Sequence, residues 1–76
     1  MHAIIKVGTI IEGEGKGTCT IHVRQEPWGE HKNEEVRVYQ TQNRFHVVQV
    51  AERLAELLHL NVYYSDHLTV QEFLER

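Results

Sequence analysis

The chain has 76 residues, of which 41% are hydrophobic and 25% charged, the balance of a globular chain and not of a disordered one. Eight Lys and Arg stand against eleven Asp and Glu, for a net charge of −3. The charge is spread along the chain, five cations and six acids over residues 1–43 and three and five over residues 44–76, which excludes a basic nucleic-acid-binding half and an acidic tail.

This length makes one domain, 1–76, that buries only about 60% of the surface its unfolded form exposes. Cys19 is the only cysteine, so a disulfide-stapled scaffold is excluded. The N-terminal residues lack the apolar stretch of a signal peptide. No apolar run approaches the roughly 20 residues of a membrane span. By elimination, the expected location is a cytoplasm, without membrane association.

Residues 2–12 read as a strand, β-branched and apolar on both faces: Ile5, Val7 and Ile11 on one, Ile4 and Ile10 on the other. Gly13-Glu14-Gly15-Lys16-Gly17 is a turn, because glycine reaches positive φ without steric penalty. Residues 18–25 alternate, with Cys19, Ile21 and Val23 inward and Thr20, His22 and Arg24 outward. The two strands form a hairpin. A polar loop follows, with Pro27-Trp28-Gly29 suited to a type I turn. Residues 35–41 alternate again, Val36 and Val38 against Arg37 and Tyr39, and complete a three-stranded meander.

The period then changes from 2 to 3.6. Val47, Val48, Val50, Ala51, Leu54, Ala55, Leu57 and Leu58 share one half of a helix over 46–59, and Gln49, Glu52, Arg53, Glu56 and His59 take the other. Thr41 and Asn43 are the candidate N-caps, and Asn61 suits the left-handed position that ends a helix. Phe45 would fall on the polar side, so the helix is expected to start after it. Val62-Tyr63-Tyr64 is a candidate fourth strand. Thr69 and Glu72 have the spacing of a capping box, with Leu68 and Phe73 as its hydrophobic staple, ahead of a short closing helix. The expected fold is α+β. An antiparallel sheet of three to four strands, in the order βββα-β-α, is covered on one face by the amphipathic helix.

Little chemistry is legible. Gly13 to Thr18 superficially resembles a phosphate-cradling loop, but a P-loop needs Lys-Ser/Thr leading into a helix, and here a strand follows. The six histidines (2, 22, 31, 46, 59, 67) show no metal-ligand spacing, and Cys19 and His22 face opposite sides of one strand, so no metal or other cofactor is expected. Cys19 lies on an apolar face, where a thiol acts as a small hydrophobe and not as a nucleophile. No nucleophile elbow or paired-carboxylate pattern occurs. The domain therefore reads as non-catalytic.

The function expected is contact with another protein. Trp28 sits in a polar loop, and Trp is enriched among binding hot spots. Loop residues Trp28, Glu30 and His31, and outer-face residues Arg24 and Arg37 with Tyr39 between them, are the candidate contacts. Ile4 and Ile10, uncovered if the helix packs on one face only, are the candidate interface of a homodimer formed through spare apolar surface or an open sheet edge. Size and the lack of an active site suggest an inhibitor or adaptor of the kind mobile elements encode, acting on a larger complex. The alternative is a βββα nucleic-acid-binding module using the outer sheet face. It is disfavoured because the exposed helix face sets Glu52 and Glu56 against Arg53 and no basic stripe exists.

Overall fold

The computed structural model describes residues 2–26, 35–65 and 68–75. Strands β1 (His2–Thr9), β2 (Cys19–Glu26) and β3 (Glu35–Thr41) precede the helix α1 (Arg44–Leu58), and β4 (Asn61–Tyr64) and the short helix α2 (Val70–Glu75) close the chain. The α+β class and the βββα-β-α order are as the hydrophobic periodicity predicts. The strands form one sheet in the order β3-β2-β1-β4.

The sheet is mixed, not antiparallel throughout. β1 pairs antiparallel with β2, and β2 with β3, but β4 lies parallel to β1, with Ile5 opposite Val62 and Val7 opposite Tyr64. The helix is the reason. After the meander, α1 carries the chain back across one face, and the chain re-enters the sheet beside β1 in β1's own direction.

The β1–β2 hairpin turns where glycine makes it possible. Gly13, Gly15 and Gly17 all have φ between 83° and 92°, a region costly for any residue with a Cβ. The first strand is shorter than its apolar pattern implies. It ends at Thr9, and Ile11 is 76% exposed instead of facing inward with Ile5 and Val7. Backbone bonds from Ile10 to Thr18 and from Gly17 to Ile10, both 2.9 Å, carry Ile10 into the turn and release Ile11 to solvent.

Helix α1 starts two residues before the expected point, and Phe45 is helical. Asn43 is its N-cap, accepting at 3.0 Å from the His46 amide, and the Thr41 hydroxyl in turn accepts from the Asn43 amide. A good cap outweighs the misplaced Phe45, which simply stays 64% exposed. The helix ends at His59, not Asn61. His59 adopts φ 56°, ψ 45° and donates its amide to the Ala55 carbonyl. Asn61 is already the first residue of β4.

The core lies between the sheet and the helices. Ile5, Val7, Cys19 and Ile21 meet Val47, Val48 and Ala51 of α1, with Tyr64 and Phe73 closing the end. Phe73 stacks at a tilt on Tyr64, ring centroids 5.3 Å apart. The capping box forms reciprocally, with Thr69 and Glu72 each accepting the other's amide at 3.1 Å. Part of the broad apolar face of α1 is therefore met by α2, through the half-buried Val70 and Leu74. Leu57 and Leu58, at the far end of α1, stay 60% and 51% exposed. Among the described residues, no helix is long and apolar enough to cross a membrane.

Candidate functional site

Both helices pack on one side of the sheet, and no described helix or strand covers the other. The register arranges that outer face as rows running across the strands. One row is Glu35, Arg24, Ile4 and Asn61; the next is Arg37, His22, Lys6 and Tyr63; the third sets Thr20 beside Gly8, with Ser65 beyond. A groove of about 730 Å³ runs over these rows.

The β2–β3 pairing departs from the sequence expectation in one respect. Ile21 pairs with Tyr39 but His22 pairs with Arg37, so Val38 is an extra residue in β3. Such a bulge shifts the side-chain alternation by one position. Arg37 and Tyr39, both odd-numbered, therefore face opposite sides. Arg37 points outward, where its Nη1 donates to Gln40 at 3.2 Å. Tyr39 does not join it. It packs on the helix side, its ring 5.8 Å from that of His46. Arg24 and Arg37 share the groove as expected, and Tyr63, brought alongside by β4, supplies the aromatic ring instead.

Among the described residues, three cations, Lys6, Arg24 and Arg37, line the groove with one carboxylate, Glu35. Lys6 and Glu35 form an ion pair at 3.0 Å. Arg37 Nε donates to His22 Nε2 at 3.5 Å, a contact that requires that nitrogen to be unprotonated. Burial, more than any other influence, pushes the His22 pKa down; Arg37 and Lys6 push the same way, and Glu35 opposes them. Neutral His22 is thus the form this site favours.

The floor of the groove contains small and hydroxylated residues. Thr20 is 4% exposed. Ser65 Oγ is buried without a hydrogen-bond partner among the described residues. Ile4 is also part of the groove lining and is only 6% exposed, which corrects the expectation that it lies uncovered as dimer surface. Ile10 is half-buried. Trp28, Glu30 and His31 lie outside the described residues.

The other candidate chemistries have no assembled site here. Cys19 is 1% exposed, with the Thr9 hydroxyl 4.0 Å from its sulfur, and it faces the core while His22 faces out. Among the described residues, no three of His, Cys, Asp and Glu group as metal ligands do. No protein-family model, curated protein or solved structure matches the chain.

Proposed function

We propose that this domain is a non-catalytic protein-binding module that engages its partner through the outer face of its sheet. One observation carries the reading: in a chain of net charge −3, three cations converge on one groove with a single described carboxylate among its lining residues. Partial closure by Lys6 and Glu35 leaves a mixed polar and apolar surface, with Ile4 and Tyr63 among its walls. Protein interfaces combine these features.

Nucleic acid is the weaker occupant. A polyanion needs several free cations in a stripe, and here Lys6 is held by Glu35 while Arg37 donates to His22 and Gln40. The exposed side of α1 pairs Arg53 with Glu56 at 3.4 Å and adds Glu52, so it offers phosphate no extension of the basic surface.

Selection of peptides from a displayed random library tests the reading. The wild-type domain is expected to enrich a sequence class that the Lys6→Gln/Arg37→Gln variant fails to retain. Equal retention by both would remove the outer face as the contact surface. A salt-sensitive gel shift with generic duplex, without any peptide enrichment, would favour the nucleic-acid alternative.

A homodimer is the second reading, supported by the open edge at β3, where Val36 and Val38 are 54% and 49% exposed. Exposed apolar edges template strand pairing. Sedimentation is expected to show a concentration-dependent dimer that Val36→Lys abolishes. A single 8.9 kDa species at micromolar concentration would dismiss it.

A further inference from the structure

Gly8 lies in the last of the three rows of the outer face, and no contact among the described residues requires a glycine there. It lies within β1, outside the positive-φ region that favours glycine. A Cβ built on it would meet only Ser65 Cβ and Thr20 Oγ1, both at 3.9 Å, which is ordinary van der Waals contact. Glycine inside a strand costs stability, since it orders a flexible residue and packs no side chain. Such glycines often mark a place where a ligand or another backbone approaches closely.

The surroundings give the chemistry of what would approach. Gly8 is flanked by the Thr20 hydroxyl and by the Cβ of Ser65, whose own Oγ is buried without a hydrogen-bond partner among the described residues. Next to it runs the row Arg37, His22, Lys6. Hydroxyl donors and cations around a depression suit an oxyanion. Lys6 is committed to Glu35, so the site suits a single carboxylate better than a phosphate chain. Ile10 and Tyr63 on its margins suit an aliphatic neighbour of that carboxylate.

We propose that the depression over Gly8, flanked by Thr20 and Ser65 and bordered by Lys6 and Arg37, seats a Glu or Asp side chain from an extended acidic and aliphatic segment of the partner protein. The proposal rests on the outer face being the contact surface and names what that surface recognises. The carboxylate accepts a hydrogen bond from the Thr20 hydroxyl and, once the Ser65 side chain rotates its buried hydroxyl toward the groove, from Ser65, and it competes with Glu35 for the Lys6 ammonium. No covalent step is involved.

Fluorescence anisotropy with a short labelled peptide alternating Glu with Leu and Val tests this, beside the same peptide with Gln for Glu. The wild-type domain is expected to bind the Glu peptide about tenfold more tightly than the Gln peptide. Gly8→Ala fills the seat with one methyl group and is expected to weaken the Glu peptide about tenfold while the melting temperature holds or rises. Ser65→Ala is expected to weaken it several-fold at unchanged stability.

Equal binding of the Glu and Gln peptides, or full affinity in Gly8→Ala, would overturn the carboxylate seat. Loss of Glu-peptide binding in Lys6→Gln/Arg37→Gln, but not in Gly8→Ala, would discard the seat and keep the outer face. Retention in both variants would discard both. Displacement of the Glu peptide by generic duplex at equal charge concentration, but not by acetate, would replace the peptide with nucleic acid.

Discussion

Lys6 of β1 and Glu35 of β3 meet at 3.0 Å across the intervening strand β2. The pair bridges two strands that never hydrogen-bond to each other, above the row that holds His22. It sets the charge of the groove: with Glu35 ionised, Lys6 is occupied.

Glu35→Gln should therefore release Lys6. Folding stability should change by less than about 1 kcal/mol, as for other solvent-accessible ion pairs. Affinity for the Glu-containing peptide should rise several-fold, because the removed carboxylate was a competitor. Denaturant melts and the anisotropy assay check the two halves separately, and reduced affinity would contradict the role given to Lys6.

Tyr64 hydroxyl donates to Glu52 at 3.4 Å, tying β4 to α1. Its pKa is pushed up to about 12, first by burial and then by the Glu52 charge and hydrogen bond. The sign follows from linkage. The folded state holds the phenolic proton more tightly than the unfolded chain, whose tyrosine titrates near 10. The resulting stability is complete below about pH 10 and is lost as the pH rises through about 12, with an upper limit of about 3 kcal/mol. Stability measured across that window should fall for the wild type and fall less for Tyr64→Phe.

His59 holds a left-handed conformation, φ 56°, that its Cβ opposes. His59→Gly should stabilise the domain by about 1 kcal/mol. For a chain of this size that raises the melting temperature by roughly 4–8 °C. A thermal melt followed by circular dichroism decides it; an unchanged or lower midpoint would mean that the imidazole contributes more than its strain costs.

Phe73 and Phe45 should behave oppositely. Phe73 is 1% exposed, packed on Tyr64, with the Arg44 guanidinium 5.7 Å from its ring centroid. Phe73→Ala should cost about 3–5 kcal/mol, enough to unfold much of a domain with so small a core. Phe45, 64% exposed, should tolerate Ala within about 0.5 kcal/mol. Urea titrations of the two variants check the contrast, and similar midpoints would contradict this placement of α2.

Local pattern made much of this fold legible. The glycine-rich turn, the alternating strands, the change of period at α1 and the Thr69–Glu72 box each depend on residues close in sequence, so propensity and spacing suffice. Arg24 and Arg37 could be placed on one face for the same reason. The boundaries of α1 were less legible, because an Asn43 cap and a left-handed His59 override the apolar pattern at either end.

The tertiary structure alone decided the rest, and each case turns on pairing between distant segments. The bulge at Val38 exists only relative to β2, yet it sends Tyr39 into the core while leaving Arg37 outside. The parallel docking of β4 on β1 follows from the crossover through α1, and it brings Tyr63 and Ser65 to Lys6 and Gly8. Ile4, apolar on what looked like an empty face, is buried in the folded chain. The sequence alone determined a small α+β domain with His22, Arg24 and Arg37 on the outer face of its sheet. Register and topology, which depend on contacts between residues far apart in the chain, determined that the face forms one cationic groove around a glycine.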